Sequence, residues 1–292
     1  MEEFLYQKRG FLKEDFKLFH IKDASLNSID YHYHDFHKIF ILLSGSVIYN
    51  IEGHSYPLHP LDIVLISRNE LHRPQIDFSL PYERMILYTN LSDDNILSQC
   101  FHAVKQQGKP VVRLDNLAST PLYHSLMQLE HALPDEDFGN SLYMSALFTE
   151  FMVLLNRSIL HKEGSIVSAN LSPNKIHQIL SYINDHLKED LSIDQLSASF
   201  YISKYHLMRT FKEETGYSLH SYITDKRLLY AKDLLFTVSS LEEVCYFSGF
   251  TEYSTFLRAF KKKYQVSPST FRRLYTKNTS FQKEDAPLSF EE

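Results

Sequence analysis

Apolar and polar positions change their period along the chain. Ile39-Phe40-Ile41-Leu42-Leu43 is an apolar run that stops at Ser44-Gly45. Val47 to Ile51 follows, then the turn Glu52-Gly53-His54, then Ile63-Val64-Leu65-Ile66 and Glu83 to Asn90. Short apolar runs separated by turn residues predict strands of a sandwich or small barrel. From Asp93 the period lengthens. Leu122, Leu126, Leu129 and Leu133 fall on one helical face, as do Leu147, Phe151, Leu154 and Leu155. Two helices are expected there, near Thr120–Leu133 and Phe138–Leu160, packed behind the barrel. Both carry more apolar surface than a barrel flank needs, so one is expected to form a homodimer seam.

His161 to Asn174 is polar, with Gly, Ser and Pro, and is the best linker candidate. From Lys175 the chain reads as helical, and Thr279 to Glu292 is acidic with little to bury. The expected organisation is an α+β multi-domain protein: residues 1–165 a barrel with helices, 166–174 a linker, 175–278 an all-α region, and 279–292 a disordered acidic tail.

The all-α region contains an internal repeat. Leu191-Ser192-Ile193-Asp194-Gln195-Leu196, Tyr201-Ile202-Ser203, Leu207, Phe211-Lys212, Gly216 and Ser218 recur as Ser240-Leu241-Glu242-Glu243-Val244, Gly249-Phe250-Thr251, Phe256, Phe260-Lys261, Gln265 and Ser267. The offset is 48 residues through Thr251 and 49 afterwards. Each block reads as a short helix, a turn at Tyr201-Ile202 or Gly249, and a second helix capped by Ser203 or Thr251. Leu207, Phe211 and in part Met208 are expected to be buried, as are Phe256 and Phe260. Lys204, Tyr205, His206 and Arg209 then face outward, as do Tyr253, Ser254, Thr255 and Arg258. Two polar, basic second helices fit helix-turn-helix units that bind double-stranded DNA. Arg209 and Arg258 are the best candidates for base or phosphate contact, because guanidinium pairs bidentately with either. Lys261, Lys262 and Lys263 suit phosphate.

Net charge sharpens this picture. The chain carries −6 overall, which by itself argues against phosphate binding. Residues 1–173 hold 14 basic and 21 acidic residues, whereas 174–278 hold 15 and 11. The excess of positive charge lies in the repeat region.

The run Ala231, Leu234-Leu235, Leu241-Glu242-Glu243-Val244-Cys245, Ser248-Gly249-Phe250, Tyr253-Ser254-Thr255-Phe256, Arg258, Phe260-Lys261-Lys262, Ser267-Pro268 and Phe271-Arg272 resembles the signature of AraC/XylS-type transcription regulators. The resemblance covers about residues 174–277. Cys245 stands where Ala is usual and Gln265 where Gly is usual, at a turn that favours positive φ. It implies control of a nearby operon, with RNA polymerase as a partner and activation as one mode.

His32-Tyr33-His34, Lys38 and Gly45 have the spacing of a cupin metal motif, and Pro60-Leu61-Asp62 with His72 resembles the second cupin motif. Lys38 replaces the metal-binding Glu, and Leu61 the usual Gly. A cupin barrel implies an effector-binding and dimerising domain. Three imidazoles could serve a metal-dependent enzyme, but Lys38 would repel the cation and has no lone pair to donate when protonated. No cofactor or catalytic residue is therefore expected. The favoured reading is a pocket for a sugar or other small polar metabolite, formed by His32, His34, Lys38, Tyr49, His72 and Tyr88 with walls from Phe40 and Leu42. A buried Lys38 needs a partner such as Asp35, Asp62 or a ligand group. A regulator controlled by a partner protein, or by its own abundance, is the alternative. Cys100 and Cys245 have no metal or redox spacing and are expected to be buried thiols. No apolar run reaches membrane-spanning length and no signal peptide is evident, which predicts a soluble cytoplasmic protein.

Overall fold

A computed structural model describes residues 12, 14–23, 29–133, 137–161, 164–166 and 175–280. The chain divides into two compact units, Met1–His177 and Gln178–Glu292.

The first unit holds two sheets. Strands β1 (Phe16–Asp23), β2 (His37–Ser44), β5 (Ile63–Ile66), β7 (Tyr82–Thr89), β8 (Val111–Leu114) and β9 (Gly164–Ile166) form one, in the order β1-β7-β2-β5-β8-β9. Strands β3 (Val47–Ile51), β4 (His54–Leu58) and β6 (His72–Ile76) form the other, in the order β4-β3-β6. The expected runs lie in strands, save that the fourth overruns β7 by one residue, Asn90. β1, β4, β6 and β8 were not legible as runs. β4 and β6 contain Pro57 and Pro74 and form the two edges of the small sheet, where the missing N–H is tolerated.

The large sheet is covered on both faces, which is why its central strands read as continuous apolar runs. Alternate residues serve different cores. Phe40, Leu42, Val64, Ile66, Ile86 and Tyr88 pack toward the small sheet with Val47, Tyr49 and Ile51. Ile39, Ile41, Ile63, Leu65, Met85 and Leu87 pack against α1 (Gln99–Gln106), α2 (Pro121–His131) and α3 (Asn140–Leu160). α2 starts at a Thr120 cap with Pro121 in its first turn. Leu122, Leu126, Leu129, Leu147, Phe151 and Leu155 are buried as their spacing predicts, whereas Leu133 lies beyond the end of α2 and is exposed.

The linker expectation is corrected at its start. Gly164–Ile166 is a strand paired with β8 through Val112↔Ile166, so residue 166 belongs to the first unit. Residues 167–174 lie outside the described residues.

Helices α4 (Lys175–Asp185), α5 (Ile193–Ser199), α6 (Lys204–Thr215), α7 (Leu219–Thr237), α8 (Leu241–Phe247), α9 (Tyr253–Tyr264) and α10 (Pro268–Ser280) follow. α10 takes in Thr279 and Ser280, so the expected tail boundary is two residues early; residues 281–292 lie outside the described residues. Among the described residues no helix is long and apolar enough to cross a membrane.

Candidate functional site

The second unit repeats one local design. Ser192 caps α5 and Ser203 caps α6, each side chain accepting a backbone N–H three residues on. Ser240 caps α8 in the same way. The expected Thr251 cap is corrected: Glu252 occupies that position, without a side-chain cap bond. The offset explains the change. The extra residue of the second block falls in the turn, so the position equivalent to Ser203 is 252.

The turns also match. Tyr201 (φ +51°) and Gly249 (φ +87°) share the left-handed position between the helices, and Gly216 (+75°) and Gln265 (+64°) share it at the C-termini of α6 and α9. Behind the turns, Leu196, Leu207 and Phe211 are buried in the first block, and Val244, Cys245, Phe256 and Phe260 in the second. Met208 is more exposed than expected, because Leu207, Phe211 and Thr215 make up the inward stripe of α6. Cys100 and Cys245 are both free and buried.

The outward faces are as the repeat predicts. Lys204, Tyr205, His206 and Arg209 are exposed on α6, and Tyr253, Ser254, Thr255 and Arg258 on α9. The cationic heads are held close to their helices. Lys204 pairs with Asp194, and Arg209 Nε donates to Glu213 Oε1 at 2.9 Å. Arg258 donates to the Ser254 carbonyl at 3.3 Å and to Thr255 Oγ1 at 3.4 Å. Tyr201, fully displayed at the first turn, was not anticipated as surface chemistry.

In the barrel, residues far apart in sequence converge. His32 and His72 sit opposite each other in an antiparallel bridge, bonded in both directions between their backbones. Their rings lie 4.3 Å apart, and His34 is 4.9 Å from His72 and 5.8 Å from Tyr88. Tyr49 lies 6.1 Å from His72. Lys38 on β2 pairs in register with Tyr88 on β7, and its Nζ lies 5.8 Å from the Tyr88 ring and 6.0 Å from that of Tyr49. Lys38 is only 4% exposed. Phe36, not anticipated, stacks on His34 at 4.0 Å; its place between the histidine pair and Lys38 was the available signal. Phe40 meets Tyr49 edge-on at 5.0 Å, as a wall residue should.

Each imidazole has a defined tautomer. Nδ1 of His32, His34 and His72 lies 2.8 Å from the backbone carbonyl of Asp30, Phe36 and Glu70 respectively. A carbonyl only accepts, so each Nδ1 carries the hydrogen and each Nε2 a lone pair. Burial, then the charge of Lys38 and then His32, holds the proton affinity of His34 well below the ordinary imidazole range. Burial, then His32, His34 and Lys38, does the same for His72.

Asp62 is not the partner of Lys38. It is wholly buried and taken bidentately by Arg113, with both N···O distances 2.7 Å. A resident metal does not fit this donor set, because Lys38 stands where a carboxylate ligand would be needed. Among the described residues no group of three or more His, Cys, Asp or Glu side chains could hold a metal ion.

Comparison with known proteins matches the two units separately. A model described as an AraC-like ligand binding domain matches residues 18–152, and one described as a helix-turn-helix domain matches residues 196–274. The HTH-type transcriptional activator RhaS of Klebsiella pneumoniae (strain 342) is 24% identical over 247 residues, covering 83% of this chain and 87% of that protein. Among solved structures, the C-terminal domain of AraT, a response regulator from Geobacillus stearothermophilus, is 30% identical over 36% of this chain and 88% of its own, with a TM-score of 0.34. Apo ToxT K231A from Vibrio cholerae strain SCE256 is 15% identical, covering 89% of this chain and 97% of its own, with a TM-score of 0.38.

Proposed function

We propose that this chain, which belongs to the AraC family of DNA-binding transcription regulators, is an effector-responsive activator whose barrel binds a small polar metabolite. The observation that carries the effector reading is the convergence of His32, His34, Lys38, Tyr49, His72 and Tyr88 on the barrel interior. A protein-partner or abundance-controlled regulator has no use for buried imidazoles with open lone pairs, which cost free energy unless something meets them.

Lys204, Tyr205, His206 and Arg209 of α6, and Tyr253, Ser254, Thr255 and Arg258 of α9, form the DNA-reading surfaces. The first turns of two equivalent second helices enter successive major grooves about one turn apart. On DNA, Arg209 leaves Glu213, and Arg258 leaves its own helix, to meet base edges or phosphate; both are exposed, so their present bonds are weak competitors. A homodimer sets the spacing of two such readers, effector binding shifts the population of its arrangements, and RNA polymerase is the partner at the promoter.

Binding to operator and random DNA tests the first part. Arg209→Ala and Arg258→Ala each cost about 1–3 kcal/mol on the operator and relax preference at a few base pairs. Wild-type behaviour on both DNAs in both variants overturns the contact assignment. A promoter reporter tests the second part: Lys38→Met loses the response while DNA binding stays intact.

A further inference from the structure

Taking the outward faces of α6 and α9 as the DNA-reading surfaces proposed above, equivalent positions on the two helices carry opposite charge. The offset of 49 residues pairs Arg209 with Arg258 and Lys212 with Lys261, but Glu213 with Lys262 and Glu214 with Lys263. α6 therefore mixes cations with carboxylates, whereas α9 carries Arg258, Lys261, Lys262 and Lys263 and no carboxylate. The difference decides what each cation already holds. Arg209 Nε donates to Glu213 Oε1 at 2.9 Å. Lys204, which opens α6, pairs with Asp194 in the first turn of α5. All four residues are exposed. Arg258 instead donates to neutral oxygens, the Ser254 carbonyl and Thr255 Oγ1, and Lys261 and Lys262 stand exposed beyond it. Lys263 turns inward to Asp225 at 3.2 Å. The second block has Glu242 and Glu252 near its turn, but Tyr253 stands where Lys204 does, so the Asp194–Lys204 pair has no counterpart there.

We infer that Asp194 and Glu213 gate the first unit: duplex DNA of any sequence is held through α9, and α6 engages only where base edges replace its own carboxylates. Leaving Glu213 for a phosphate exchanges one exposed anion for another. It also brings the freed carboxylate up against phosphates, which repel it over about 8 Å at physiological ionic strength. A guanine edge differs. Its O6 and N7 accept two guanidinium N–H groups, and it places no negative charge beside Glu213. The exchange is favourable at a matching site and close to neutral elsewhere. α9 has no such exchange to make, so Lys261 and Lys262 displace counterions on any sequence. Asp194 and Glu213 are thus specificity residues that act through Lys204 and Arg209 without touching a base.

The test uses the full chain and two duplexes, an operator selected by the wild type from a random library and a random-sequence control. Affinity is measured on both over a series of salt concentrations. Lys261→Gln and Lys262→Gln weaken binding to both duplexes, and each lowers the salt slope by about 1. The double variant Asp194→Asn/Glu213→Gln binds random DNA about threefold to tenfold more tightly, with a slope steeper by about 1–2, because Lys204 and Arg209 now meet phosphate. Arg209→Ala completes a cycle. It weakens random-DNA binding at least about threefold more in the carboxylate-free background than in the wild type, since only there is Arg209 spent on phosphate. All the substituted carboxylates are exposed and their replacements are isosteric, so thermal unfolding stays at the wild-type midpoint. A wild-type random-DNA slope in the double variant overturns the gate. So does an equal cost of Arg209→Ala in the two backgrounds, or a flat response to both lysine variants while Arg209→Ala weakens the operator. If no variant on either helix changes binding to either duplex, the DNA-reading faces themselves fall, and the gate with them.

Discussion

Gly249 holds the second helix-turn-helix turn in a conformation that an L-residue rarely adopts, and it is also approached by the main chain. A Cβ there would lie 2.1 Å from the Leu187 carbonyl oxygen and 2.8 Å from Arg227 Nε. Arg227 itself ties that stretch down, donating to the carbonyls of Leu187 at 3.0 Å and Glu189 at 2.7 Å. Gly216 has the same sign of φ but nothing within 4 Å of the added atom. Gly216→Ala therefore costs only backbone strain, about 1 kcal/mol, whereas Gly249→Ala adds a clash with backbone and costs more than about 3 kcal/mol. Urea unfolding of the two variants measures the difference, and equal losses would refute the close approach. The buried histidines give a second residue-scale expectation. An unfolded imidazole takes up a proton near pH 6.5, while His34 and His72 do so only well below it. Between those limits the unfolded state binds more protons, so acidification destabilises the fold, by up to about 1.4 kcal/mol per pH unit for each ring. Replacing both with Gln flattens that slope in urea titrations run between pH 7 and 5. Both turn glycines were visible in the sequence as turn residues. That one of them is pressed against Leu187 was not, because the contact joins segments about sixty residues apart.

At the scale of the element, α3 is joined to the start of α1 by a single amide. Asn156 accepts the Cys100 N–H at 2.8 Å and donates to the carbonyls of Leu97 at 2.9 Å and Met152 at 2.7 Å. It sits between Leu155 and Ile159 on the buried face, where the apolar period alone would demand another hydrophobe. Asn156→Leu satisfies that period but leaves the Cys100 N–H and the Leu97 carbonyl without it. The expected cost is about 2–4 kcal/mol, read as a lowered midpoint in thermal or urea unfolding. The period announced α2 and α3 within one or two residues of their observed ends. It could not announce why a polar residue lies in the stripe, since the partners belong to another element. The helix-turn-helix caps show the converse. Serine before a helix is a local signal and was legible at Ser203, while the shift from Thr251 to Glu252 followed from where the turn absorbed one extra residue.

For the whole molecule, the open question of assembly falls on the same helix. The N-terminal part of α3 leaves Leu142 75% exposed beside exposed Tyr143, with exposed Phe138 just before it. Clustered apolar side chains of this size mark an interaction surface. A homodimer seated there predicts a dimer in sedimentation at micromolar concentration and a monomer for Leu142→Glu/Tyr143→Glu, with unfolding of each unit otherwise unchanged. A wild-type monomer would remove the seam. The two-part organisation, the duplicated DNA-binding block and the strand-then-helix order of the first unit were determined by the sequence alone, because hydrophobic period, caps and turn residues act over a few positions. Tertiary structure decided what depends on distant partners. It assigned Asp62 to Arg113 instead of Lys38, paired Gly164–Ile166 with β8, and set alternate residues of one apolar run into two separate cores. It also brought His32, His34 and His72 together with Lys38, Tyr49 and Tyr88 and fixed which nitrogen of each imidazole carries the proton. Spacing can suggest that such residues meet, but the hydrogen bond that sets a tautomer depends on where a backbone carbonyl lies in space.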